Sequence, residues 1–164
     1  MIGAKWSEFD LDERVWTIPA EKARNGMPHR VPLSPLALSV LEEVKAANGN
    51  RQTSWLFPSP RRDGRPITGP AVDHAMRSNR DALGTGDATP HDLRRTAASY
   101  MTSIGIARLA VSKILNHAEA GVTAVYDRHS YDSEKRAALA AWGERLEAVI
   151  GARSEGANIV QMRA

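Results

Sequence analysis

His91 and Arg94 stand three residues apart in the run His91-Asp92-Leu93-Arg94. On a helix that spacing puts an imidazole and a guanidinium side by side on one face. The pair suits a phosphate, because a guanidinium offers a planar fork of donors matched to phosphate oxygens and an imidazole moves a proton near neutral pH. His117 follows further along the chain, and Tyr126 comes nine residues after it. A phenol added to two histidines and an arginine supplies a nucleophile, so the ladder describes chemistry at a phosphodiester. The chain has three tyrosines. Tyr100 fits an apolar helical stripe and belongs to a core, whereas Tyr131, close behind Tyr126, is a rival nucleophile.

The elements that must position these groups are readable from local signals. Val15-Trp16-Thr17-Ile18 is a strand of β-branched and aromatic residues ended by Pro19. Asn25-Gly26 signals a turn, and His29-Arg30-Val31-Pro32-Leu33 returns as a second strand, with His29 half exposed. Ser34 caps a helix with Pro35 at its first position, and Ala37, Val40, Leu41 and Val44 repeat along one face until Asn48-Gly49. Trp55-Leu56-Phe57 reads as a short apolar strand closed by Pro58, followed by an arginine-rich loop. Thr68 and Pro70 open a helix running to about Leu83.

A polar linker from Gly84 precedes a Thr89-capped helix that carries His91 and Arg94, with Leu93, Ala97, Tyr100, Met101 and Ile104 as its core stripe. Gly105 ends it. The next helix spans 107–115, packed through Leu109, Val111 and Ile114 or near neighbours, and His117 stands at its end as a group able to cap it. A short helix holds Tyr126. A long helix over 132–150 carries Leu139, Trp142, Leu146, Val149 and Ile150 on one side, and residues from 152 onward form a flexible tail. The expected fold is α+β and mostly helical, with a small antiparallel β-sheet near the N-terminus and one domain over 1–151.

The ordered series His91-Asp92-Leu93-Arg94-Arg95-Thr96, Ile114-Leu115-Asn116-His117 and Val122-Thr123-Ala124-Val125-Tyr126 resembles the tyrosine recombinases, the phage-integrase family of DNA strand-exchange enzymes. Trp6-Ser7-Glu8-Phe9-Asp10-Leu11 and the segment from Asn25 to Ser34 look like that family's first strands, so the resemblance covers residues 4 to 150. It implies a site-specific recombinase catalytic domain that cuts and rejoins double-stranded DNA through a 3′-phosphotyrosyl link, with other recombinase protomers at a synapse and no ATP, metal or other cofactor. Tyr126 is then the nucleophile in preference to Tyr131, because the spacing from the second histidine matches there. Arg94 would hold the charge that develops on the nonbridging oxygens, His91 would move a proton, and His117 would donate a hydrogen bond to a nonbridging oxygen.

Two departures from the family pattern bear on activity. The family carries a first catalytic arginine on a helix upstream of the Trp-x-x-Phe-Asp stretch, and Trp6 lies only five residues from Met1, so that arginine is absent. The lysine that protonates the leaving 5′ oxygen in the family falls on Arg24, which holds its proton too tightly for the task. Lys22, two residues earlier on the same strand face, is the substitute. The rival reading is a non-catalytic DNA-binding or interaction remnant that keeps the fold and cannot cut.

Charge distribution supports a polyanionic partner. The net charge is +3, but its excess is concentrated: between residues 51 and 80, Arg51, Arg61, Arg62, Arg65, Arg77 and Arg80 face only Asp63 and Asp73. With Arg95, they are the expected DNA contacts, since each neutralised phosphate releases counterions. The absence of cysteine excludes disulfides and thiolate metal sites, and none of the five histidines pairs at ligand spacing, so no metal site is expected. No apolar stretch approaches the roughly 20 residues of a membrane span, and the expected compartment is the cytoplasm.

Overall fold

The computed structural model describes residues 2–23, 25–84, 86–117 and 130–155, with side chains to residue 151. Tyr126 with its expected short helix, Arg24, and residues 156–164 lie outside the described residues. Strands β1 (Phe9–Asp10), β2 (Val15–Ile18) and β3 (His29–Pro32) form an antiparallel sheet in that order, with Trp16 opposite Val31 and Ile18 opposite His29. Helices α1 (Pro35–Asn48), α2 (Gly69–Ser78), α3 (Arg80–Leu83), α4 (Pro90–Ser103), α5 (Arg108–Ile114) and α6 (Asp132–Glu155) follow. The chain is thus α+β and mostly helical, with its small sheet near the N-terminus.

Capping chemistry sets the helix starts. Ser34 Oγ accepts the Ala37 N–H at 3.2 Å, and Pro35, which has no N–H to leave unpaired, begins α1. At α4, the Thr89 backbone N–H and hydroxyl both donate to Asp92 Oδ2, at 3.0 and 2.7 Å, with Pro90 at the first position. These bonds hold the Asp92 carboxyl below its ordinary pKa.

The core joins Ala4, Leu33, Leu41 and Leu56 with Trp6, Phe9, Trp16 and Phe57 around them, and the Phe9 and Trp16 rings stack 5.4 Å apart. Helix α6 packs across β3, α1, α4 and α5 and closes the domain. It approaches α1 at Gly143, where a Cβ would sit 3.1 Å from Ser34 Oγ. The Leu139, Trp142 and Leu146 stripe of α6 lines an apolar cleft with Phe9, Trp16, Leu36 and Val40, while Val149 and Ile150 at its far end are exposed.

Several expectations are corrected. Trp55-Leu56-Phe57 is not a strand: Trp55 makes a single bridge to Lys5, because its partner segment is a loop entering a 3₁₀ turn at Trp6–Glu8. The helix expected from 68 to 83 breaks at Asn79, whose side-chain Nδ2 donates to the Ala75 carbonyl at 2.8 Å. The stripe of α4 is buried only at Met101, while Leu93 is 61% and Ile104 41% exposed, since α5 and α6 cover only the Met101 side. Leu109 is likewise exposed, and its neighbours Ala110 and Val111 do the packing. Helix α6 continues to Glu155, into the span expected to be a tail.

Candidate active site

At 100° per residue, Ala98 and Thr102 fall about 20° to either side of His91 around α4, and Arg94 lies about 60° to one side. Ala98 and Thr102 line an open groove of ≈ 710 Å³ between α4 and α5, whose other walls include Arg108, Ser112, Leu115 and His117. His91, Arg94 and His117 are all exposed. His117 lines this groove, whereas His91 and Arg94 stand on the same helix as its α4 wall but outside its lining.

The C-terminus of α5 binds these parts together. A helix leaves its last four carbonyls without intrahelical partners. Here the His117 N–H donates to Ser112 at 3.1 Å and the Asn116 N–H to Lys113 at 3.2 Å, a closure that needs Asn116 in the left-handed region at φ 52°. The His29 ring donates from Nε2 to the Ile114 carbonyl at 3.2 Å, and the Arg94 guanidinium donates from Nη2 to the Leu115 carbonyl. Every orphan carbonyl has one donor. The left-handed turn at Asn116 redirects the chain so that His117 stands immediately after the helix.

The β2–β3 hairpin reaches the same place. Asn25 Nδ2 donates to Asn116 Oδ1 at 3.1 Å, so the residue beside Arg24 touches the one beside His117. Lys22 is not on a strand face as expected. It ends a 3₁₀ turn, Ala20–Lys22, and its ammonium donates to the Glu8 carboxylate and, at 2.6 Å, to the Gly3 carbonyl, lying 5.6 Å from the Trp55 ring centre. Burial would raise the Glu8 carboxyl, but hydrogen bonds from Lys22 and Trp16 outweigh it and hold the group below its ordinary value.

His29 is not half exposed as expected; it is buried, 8% exposed, because α5 and α6 close over β3. Burial first, then the positive charges of Lys135 and Arg94, push its pKa down against the opposing effects of the Ile114 carbonyl and Asp132. Lys135, on α6, is also buried, with Nζ 2.8 Å from both the Arg30 carbonyl and Asp132 Oδ1. Neither residue had a sequence signal beyond its position on an inward-facing element. Tyr131 directly precedes α6 at φ 54°, its carbonyl accepts the Lys135 N–H, and its ring lies 4.8 Å from Lys113 Nζ.

The expected DNA contacts are spread out. Arg61, Arg62, Arg65, Arg77 and Arg95 are exposed; Arg62 and Arg51 border a polar pocket with Trp55, away from the α4 and α5 groove lining. Arg80 pairs with Asp87 at 2.7 Å and Arg95 with Asp92 at 3.6 Å. Among the described residues, no helix is long and apolar enough to cross a membrane.

Comparison with known proteins gives these positions a context. Residues 1–133 match the profile of the phage integrase family. The chain is 30% identical to Prophage integrase IntA of Escherichia coli K12 over 88% of its own length and 34% of the relative's. It is 28% identical to the Integrase of Enterobacteria phage P4 over 85% of its length and 34% of that protein. It is also 28% identical to Tyrosine recombinase XerC of Xylella fastidiosa M23, over 77% of this chain and 42% of the relative. The chain thus spans between a third and a half of these relatives.

Proposed function

The chain belongs to the phage integrase family of tyrosine recombinases, and from that premise we propose that it cuts and rejoins double-stranded DNA at specific sites. The observation that carries the reading is the junction at the end of α5, where Arg94 is anchored two residues before His117 and one helical turn after His91. In this reading Tyr126 Oη attacks the scissile phosphorus, a 3′-phosphotyrosyl bond forms, and the bond to the 5′ oxygen breaks. The tyrosine proton passes to His91. Arg94 and His117 donate to the nonbridging oxygens, where charge grows in the transition state. The departing 5′ oxygen takes a proton from the hairpin, from the Lys22 ammonium, since the Arg24 guanidinium in the family's lysine position holds its proton too tightly. Attack by a 5′-hydroxyl of another strand reverses these changes, and because the ester conserves the bond energy, no nucleotide cofactor is consumed.

The partners of this reading are duplex DNA and further recombinase protomers holding two duplexes together. Exposed arginines at 61, 62, 65 and 77 support it as a sequence-independent phosphate surface. A second reading, a DNA-binding remnant that does not cut, is favoured by the engagement of Lys22 with Glu8 and Gly3.

Trapping on a nicked duplex separates the two. The chain is assayed alone and joined to the amino-terminal part of Prophage integrase IntA, the third-length match to which motivates the fusion. A denaturant-resistant protein–DNA adduct is expected, abolished by Tyr126→Phe and kept by Tyr131→Phe. DNA binding without any adduct in either form establishes the remnant, and an adduct that survives Tyr126→Phe moves the nucleophile to Tyr131.

A further inference from the structure

We propose that His29 is a positioning residue for the Arg94 and His117 site: its buried imidazole, presented by β3, pins the last turn of α5 and so holds both the carbonyl that receives Arg94 and the turn that delivers His117. The inference rests on the proposed roles of Arg94 and His117 and adds a residue that touches neither DNA nor the nucleophile. It starts from the four carbonyls at the end of α5. Two are closed by the chain's own backbone, from Asn116 and His117; the other two depend on side chains from elsewhere, His29 and Arg94. Ile114 and Leu115 are adjacent, so the His29 bond and the Arg94 bond fall on successive peptide units joined at the Leu115 Cα.

A carbonyl only accepts, so His29 Nε2 carries the hydrogen. The hairpin grips the α5 terminus twice, through Asn25 on Asn116 and through His29 on Ile114. The first contact is exposed and the second part-buried and made by a buried imidazole, so water substitutes more readily for the first than for the second. Without His29, the Ile114 carbonyl loses its partner, and the peptide unit next to the one that anchors Arg94 is free to tilt.

The groups around the imidazole make the anchor sensitive to acid. Arg94 faces it from α4, Lys135 and Asp132 from α6, and the uncharged Ile114 carbonyl from α5. Protonation would place a third cation beside two others, with one carboxylate to offset them. The folded state therefore favours the neutral ring, in line with its lowered pKa. Protonation leaves the Nε2–H bond to Ile114 in place but adds repulsion with Arg94 and Lys135. The unfolded chain binds this proton near pH 6.5 and the folded chain only at lower pH, so the stability owed to the neutral ring is full above about 6.5 and is lost as pH falls through the folded value.

The test uses the full chain and needs no catalytic activity. Guanidinium rotation of Arg94 and the ring signals of His29 and His117 are followed by NMR in the wild type, His29→Leu and His29→Gln, with melting temperature recorded for each. In the wild type, Arg94 rotation should be slow at pH 7.5 and should accelerate with the protonation of His29. In folded His29→Leu it should be faster by about tenfold, the equivalent of one lost hydrogen bond. His29→Gln, which keeps an N–H donor, should restore it to within about threefold and abolish its pH response on the acid side of neutrality. Unchanged rotation in folded His29→Leu, or a pH response that persists in His29→Gln, overturns the proposal. If His29→Leu does not fold, the wild-type titration against His29→Gln decides alone. Duplex DNA added to the wild type tests the recombinase reading separately: absence of binding removes that reading and leaves the measured link between His29 and Arg94 intact.

Discussion

At the C-terminal end of α5, four carbonyls meet four donors drawn from α4, β3 and the turn itself, whereas the arginines of residues 51–80 stand on loops and short helices with most of their side chains in solvent. In the proposed recombinase reading, the two regions answer two demands that DNA makes on a protein. Stabilising charge at one phosphorus requires donors held within about half an ångström of their working positions. Binding a polyanion requires only enough positive charge, because phosphate neutralisation is additive and indifferent to sequence. Structure is concentrated where the first demand is met and is sparse where the second is.

The largest expected effect separates these roles at one residue. Arg94→Ala should lower the rate of covalent capture by about 10² to 10³, the usual loss for one donor at a developing oxyanion. Its effect on DNA affinity should be no more than about tenfold, since one phosphate contact among many is lost. Equal losses in capture rate and affinity would place Arg94 with the loop arginines and erase the distinction.

Stability should divide along the same line. Lys135 is 5% exposed and binds both the Arg30 carbonyl and Asp132, which Arg30 also meets at 3.0 Å. Burial would raise the Asp132 carboxyl, yet bonds from Lys135 and Arg30 hold it below its ordinary value. Lys135→Met removes one partner of this cluster and should cost roughly 3 kcal/mol, seen as a lower midpoint in urea. Arg62→Met, at an exposed loop position, should stay within about 0.5 kcal/mol of wild type.

What the chain's residues announce in advance follows their range of action. Ser34-Pro35 and Thr89-Pro90 act within one turn, and both helices begin where those pairs stand. Asn25-Gly26 marks the hairpin turn, although the connection also contains the 3₁₀ turn that moves Lys22 off the strand. His91, Arg94 and His117 form a spaced pattern in sequence; His91 and Arg94 stand on α4, and His117, directly after α5, lines the groove between the two helices. His29 and Lys135 were not found, because their meaning comes from partners 85 and 105 residues away. The same distance rule explains the overestimated stripe of α4: periodicity announces an apolar face, and only tertiary contacts decide how much of it is covered.

A smaller effect is expected from the arginine-rich loop. Arg61, Arg62 and Arg65 replaced together by alanine should weaken binding to all duplexes alike. The slope of log affinity against log salt should become shallower by about 0.9 for each phosphate contact removed, up to nearly 3. Capture rate at saturating DNA should be unchanged. Selective loss of binding to one sequence would mean that this loop reads bases, and the contrast with the α5 junction would have to be redrawn.

The smallest effect is expected at Asn116, where two consequences of one substitution oppose each other. Its φ of 52° is strained for most side chains and free for glycine, so Asn116→Gly eases the backbone while removing the exposed bond to Asn25. These contributions are each about 0.5 to 1 kcal/mol and should nearly cancel, leaving the melting temperature within about 2 °C of wild type. Asn116→Val has the strain without the bond and should cost about 1 to 2 kcal/mol, because a β-branched residue is poorly tolerated at positive φ. The comparison between the two variants isolates the turn from the hydrogen bond. Should valine be tolerated as well as glycine, the left-handed closure would not be what holds the end of α5, and the burden of placing His117 would shift to the buried His29 contact alone.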